Sequence, residues 1–158
     1  YSRLDEFLTG YVADDYDVIL LDLPGSTSNI AYNGLWAAGH VVAPVRPGPF
    51  EAGQAEQLRR DLATIRDEQG VGIELVMVLL NEVDERTKAG QTYLEEFQTE
   101  YPDALAPTQI PSSQAVQNAQ MNGGTLFSLE RQSKTADRAI EAYETDAEEL
   151  VTRLGAKE

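Results

Sequence analysis

Tyr16-Asp-Val-Ile-Leu-Leu-Asp-Leu-Pro-Gly-Ser-Thr-Ser-Asn29 is the stretch on which the fold turns. Val18 to Leu21 form an apolar run too short for a buried helix, and it stops abruptly at Asp22 ahead of Pro24 and Gly25. Such a run predicts a central parallel strand over residues 17–22 with an acid at its carboxyl end. Ligands of open α/β sheets bind at that edge, and a hydrophobic strand that delivers one carboxylate into a Gly/Pro turn is what a Walker B element needs to hold magnesium. As a bare pattern it is also an ordinary strand end.

Outward from this strand the chain alternates. Leu4, Phe7, Leu8 and Tyr11 recur at i, i+3, i+4 and i+7, so residues 2–11 read as a short amphipathic helix. After the turn at 25–28 come a helix over 29–38 closed by Gly39, a strand over 41–45, a helix over 50–69 closed by Gly70, and a strand over 73–80. A helix over 87–100, a short strand over 106–110 stopped by Pro111, a helix over 113–120 and a long helix over 133–154 complete the set. The last helix carries Ala136, Ala139, Ile140, Tyr143, Ala147, Leu150, Val151 and Leu154 as its apolar stripe, and its acids from Glu141 to Glu149 read as a solvated face. Strands separated by helices, with no tight hairpin signal, predict an α/β fold with a mostly parallel sheet and helices on both faces. The 158 residues make one α/β domain or domain fragment.

Composition narrows the class. With 42% apolar and 25% charged residues the chain is an ordinary globular sequence, and without cysteine it has neither a disulfide framework nor a thiolate metal site, which fits the cytoplasm. No apolar run approaches the roughly 18 residues of a membrane span. The acidic excess is unusual: 27 acids against 12 bases, net −15, with only Lys88, Lys134 and Lys157 as lysines. A surface so charged is best tolerated in concentrated salt, and a halophilic source is expected. Tyr1 in place of an initiator methionine suggests a piece of a longer or processed polypeptide.

The ordered set of local motifs resembles the second half of ParA/MinD-type partition ATPases. It comprises the series from Tyr16 to Gly25, Asn33 with Ala37-Ala38, Val42-Ala43-Pro44-Val45, Phe50-Glu51 to Gly53, Val83 to Thr87, Thr108-Gln109-Ile110-Pro111, the Gly123 loop, and Ala139 to Tyr143 leading into Glu149-Leu150. The resemblance covers nearly the whole chain. It departs at one decisive place, because the Lys-Gly-Gly-x-Gly-Lys-Ser/Thr Walker A loop of that family occurs nowhere in the sequence. That loop's backbone N–H groups and lysines cradle and neutralise phosphates. The resemblance therefore implies a carboxyl-terminal portion, running from Walker B to the last helix, with the P-loop and its strand upstream.

Carried over by position, the resemblance makes Asp22 the Walker B acid that orders magnesium through a water, and Leu23, Pro24, Gly25 and Ser26 the switch II-like turn. Asn81 matches a purine-reading position of MinD-like relatives, with a plain strand-end cap as the alternative, and Ile110 and Pro111 match the loop that borders the base. The complete protein is then expected to be an ATP- and Mg2+-dependent ATPase and homodimer for plasmid or chromosome partition, with a ParB-like partner. Non-specific DNA binding would rest on Arg86, Lys88, Arg131 and Lys134 alone. The carboxyl terminus lacks the basic amphipathic character of a MinD-like membrane helix, which favours ParA and no membrane.

The family topology places the P-loop strand between residues 17–22 and 41–45. An isolated chain is thus expected to bind no ATP and to be marginally folded, since unpaired backbone groups would line a slot about 10 Å wide. The competing class is a non-enzymatic doubly wound module, receiver-like or protein-binding. A receiver needs its acids after the first strand, whereas Asp14, Asp15 and Asp17 precede the run at 18–21. His40 reads as a solvated strand-start residue, and the hydroxyls of Ser26 to Ser28 as a cap for the next helix rather than a nucleophile.

Overall fold

The computed structural model describes residues 2–25, 28–84, 86–128 and 133–155. Its helices are α1 (Arg3–Tyr11), α2 (Asn29–Ala38), α3 (Pro49–Gln69), α4 (Lys88–Glu100), α5 (Gln114–Met121) and α6 (Lys134–Arg153), with strands β1 (His40–Val45) and β2 (Glu74–Leu80). Side chains start several of them as the sequence requires. Ser28, Thr87 and Ser133 each accept a hydrogen bond from the backbone N–H three residues on, at 3.2, 3.0 and 3.2 Å. Gly70 takes the left-handed conformation, φ +67°, that ends α3.

β1 and β2 pair in parallel, His40 opposite Glu74 and Val45 opposite Leu80, with one irregularity between Val41 and Val42 where β2 carries an extra residue. The irregularity reverses the alternation of β2. Leu75 before it and Val78 and Leu80 beyond it share a core with Ala55, Leu58, Phe97 and Tyr101 of the α3/α4 side. Leu79 joins the opposite core, with Ile110, Val116 and the alanines 136, 139 and 142 of α6. Helices therefore cover both faces of a parallel sheet, the α/β architecture the alternation predicts.

Two expected strands are altered. The segment at 104–112 does run parallel to β2, but it survives only as bridges at Leu105 and Pro111. Its ladder is broken in the middle: Ala106 N–H reaches Val78 O at 2.9 Å and Ile110 N–H reaches Leu80 O at 2.9 Å. Between them Pro107 has no N–H, and Thr108 turns its own towards α6.

The larger correction concerns residues 17–22, which form no strand: residues 18–24 join no ladder. Val18 is 41% and Leu20 80% exposed, so an apolar run composed for burial lies partly in solvent. A strand forms only where neighbours take its N–H and C=O groups, and none of the described strands lies beside this one. The segment is held instead through helices. α1 packs on α2 and α2 on β1. Leu23 lies against Gly34 of α2 so closely that a methyl at position 34 would overlap it. The acids of α6 need correcting too: Asp146 is buried, at 4% exposure, while Ala147 and Val151, assigned to the apolar stripe, are exposed.

Candidate functional site

The carboxyl ends of β2 and of the 104–112 segment converge on one place. Asn81 N–H closes the ladder on Val45 O at 2.8 Å, and Val83 N–H and Ser112 N–H then zip the two chain segments together through Ile110 O (3.0 Å) and Val83 O (3.1 Å). Glu82 between them adopts a left-handed φ of 55° and pairs with Arg46 at 2.7 Å, tying the exit of β2 to the exit of β1. A strained backbone of this kind persists only where its surroundings over-determine it. Beyond Ser112, Ser113 caps α5.

These turns enclose a shallow pocket of about 70 Å³ lined by Asn81, Glu82, Ile110, Pro111, Ser112, Gln117 and Tyr143, among others. Ile110, 1% exposed, gives it an apolar base, while amide and hydroxyl groups of Asn81, Gln117 and Ser112 surround it with donors and acceptors. Burial, aided by the Glu82 carboxylate, raises the Tyr143 phenol above its ordinary value. The lining offers hydrogen-bond donors and acceptors around an apolar residue. It offers no general base paired with a nucleophile.

Asn81, Ile110 and Pro111, far apart in sequence, are thus brought together in one pocket. Asp22 is not among its lining residues: it is exposed on the unpaired segment, with Leu23 half-buried and Pro24 and Gly25 exposed beside it. Ser26 and Arg131 lie outside the described residues. Among the described residues no group of three or more His, Cys, Asp or Glu side chains could hold a metal ion.

Of the basic residues, Arg86 is engaged by Asp84 at 2.8 Å, a pairing whose hydrogen bonds hold the Asp84 carboxyl below the usual range. Lys88 and Lys134 are exposed at the first turns of α4 and α6. His40 is an exposed strand-start residue 3.7 Å from Glu74, as expected.

Two residues of α6 that tie it to β2 and the 104–112 segment carry no motif. Asp146 accepts from the Thr108 N–H (3.0 Å) and lies 2.8 Å from the Thr108 hydroxyl. Arg153 donates to Val76 O (2.8 Å), Ala104 O (3.0 Å) and Leu105 O (2.9 Å). One signal was available in the sequence, since Asp146 stands three residues after Tyr143 and four before Leu150, on the stripe itself.

No family model matches the chain. It is 27% identical over 146 residues to the chromosome-partitioning ATPase Soj of Treponema pallidum, covering 92% of this chain and 56% of that protein. It is also 27% identical over 141 residues to the chromosome-partitioning ATPase Soj of Thermus thermophilus, covering 89% of this chain and 55% of that protein. The chain spans about half the length of these relatives. A solved partition protein superposes on 99% of this chain and 42% of its own, with a TM-score of 0.72 at 17% identity, a likeness of fold. Motif order, sequence similarity and fold agree: the chain resembles partition ATPases of the ParA/Soj type and shares the fold of a partition protein.

Proposed function

We propose that the chain is the carboxyl-terminal portion of a ParA-like ATPase that partitions plasmids or chromosomes, and that it supplies the base-binding side of the nucleotide site. The observation that carries this reading is the convergence of Asn81, Ile110 and Pro111 on one pocket at the carboxyl edge of a parallel sheet, where such folds bind ligands. In this role Asn81 would hydrogen-bond the purine edge and Ile110 and Pro111 would border its face. Asp22 would anchor magnesium through water, with Leu23, Pro24, Gly25 and Ser26 as the turn that follows γ-phosphate loss. Phosphates would be held by a P-loop outside these 158 residues, since the sequence contains no such loop. That residues 18–24 join no ladder supports a further strand, the one bearing that loop, between 17–22 and β1.

The complete protein would dimerise around ATP and magnesium and act with a ParB-like partner. DNA contact through Arg86, Lys88, Arg131 and Lys134 would be weak and salt-sensitive at a net charge of −15. No helix among the described residues is long and apolar enough to cross a membrane, and a cytoplasmic site of action fits the family.

The test uses the natural polypeptide that contains this chain. Asp22→Asn should abolish magnesium-dependent ATP turnover while leaving the circular dichroism spectrum and melting temperature unchanged. Turnover at the wild-type rate in that variant would remove Asp22 from the site.

A further inference from the structure

Asp146 is buried on α6, and its carboxyl reaches across to the chain just ahead of the pocket. Its Oδ1 takes both the N–H and the hydroxyl of Thr108, and the same hydroxyl lies 3.2 Å from the Ala142 carbonyl. Thr108 stands two residues before Ile110-Pro111. Between Ala106 and Ile110 the ladder to β2 is interrupted, so the Thr108 amide is a donor that the sheet does not satisfy. α6 satisfies it instead. One turn before Asp146 on the same helix, Tyr143 lines the pocket itself. A single helix therefore sets both a wall of the pocket and the approach of the loop that borders it.

We propose that Asp146 is a positioning residue for nucleotide-base binding, holding the 107–112 loop through Thr108 at the place where Ile110 and Pro111 meet the base; this rests on the base-pocket reading above. The arrangement has a specific chemical consequence. Loss of the tie leaves the approach to Ile110 and Pro111 held by the sheet hydrogen bonds alone, without touching the groups that would hold phosphate.

The experiment uses the natural polypeptide carrying this chain, with Asp146→Ala and Asp146→Asn. Amide exchange at Thr108 and at Val83, together with equilibrium binding of MgATP and of inorganic tripolyphosphate, provides the readouts. Asp146→Ala should speed exchange at Thr108 by about tenfold or more while sparing Val83. It should weaken ATP by about tenfold and leave tripolyphosphate, which has no base, unchanged. Asp146→Asn keeps an oxygen that accepts from Thr108 and should restore both readouts to within about threefold.

Equal loss of ATP and tripolyphosphate, unchanged Thr108 exchange in Asp146→Ala, or an asparagine variant no better than alanine would overturn the proposal. A wild-type protein that binds ATP no tighter than tripolyphosphate overturns the base pocket and with it the task assigned to Asp146. A wild-type protein that discriminates, with an alanine variant that discriminates equally, overturns the positioning role alone.

Discussion

A carboxyl group buried with no cation in contact keeps its proton to a higher pH than one in water, and Asp146 is in that position. Burial raises it above the ordinary aspartate value; the hydrogen bonds from Thr108 and the more distant charge of Arg153 oppose this but do not cancel it. Oδ2 is buried without a hydrogen-bond partner among the described residues, which leaves an oxygen for the proton while Oδ1 serves Thr108. The sign follows from linkage: a folded-state pKa above the unfolded one gives stability that is complete below the unfolded value and is lost as pH rises through the folded one. Asp146→Asn is neutral at every pH. The stability of wild type minus that of the variant should therefore be greatest near pH 4 and fall as the pH is raised to 8, in paired urea melts. A difference that grows with pH would mean that Asp146 is held as an anion. The resemblance named Asn81, Ile110 and Pro111, and the structure lines one pocket with them. The resemblance did not reach Asp146, whose burial depends on a partner 38 residues away.

At the scale of elements, what could be read from the sequence divides by whether an element satisfies its own backbone. Helices do, and their caps are local, so α2 and α5 fall within a residue of expectation and α6 ends one residue early. Strands do not. The run at 17–22 has the composition of a buried strand, yet it joins no ladder, because pairing depends on neighbours that its own residues cannot specify. The 104–112 segment is intermediate, half ladder and half loop, and Arg153 fastens its first residues. Its guanidinium reaches three carbonyls on two chain segments while its Nε holds Glu149 at 2.8 Å, so α6 is fastened to the sheet by a planar fork. A lysine cannot reproduce that geometry. Arg153→Lys should destabilise folding by about 3 kcal/mol, since at least one part-buried carbonyl loses its donor and the hydrogen bonds involve a charged group. The expected observation is a lower urea midpoint with an unchanged slope. A midpoint within error of wild type would make the Arg153 contacts incidental.

For the whole molecule the governing quantity is the net charge of −15, spread over a chain of 158 residues. Several arginines are already committed to nearby acids: Arg46 to Glu82 at 2.7 Å, Arg59 to Glu56 at 2.6 Å and Arg86 to Asp84 at 2.8 Å, all with exposed guanidinium groups. Exposed pairs of this kind are worth only about 0 to 1 kcal/mol each, so losing them to screening costs little. The uncompensated acids repel one another over distances that dilute buffer does not screen. Raising ionic strength from about 0.01 M to 1 M shortens the Debye length from about 30 Å to about 3 Å, less than the spacing of most surface charges. Repulsion should therefore be relieved more than attraction is lost, and the melting temperature should rise with potassium chloride. The shape of the rise identifies its cause. Screening is largely complete within the first few tenths molar, whereas an effect of salt on apolar burial continues to grow and is stronger for sulfate than for chloride. A steep rise that levels off, alike for chloride and sulfate at equal ionic strength, is the result expected. A melting temperature that is flat or falls with potassium chloride would count against adaptation of this surface to salt.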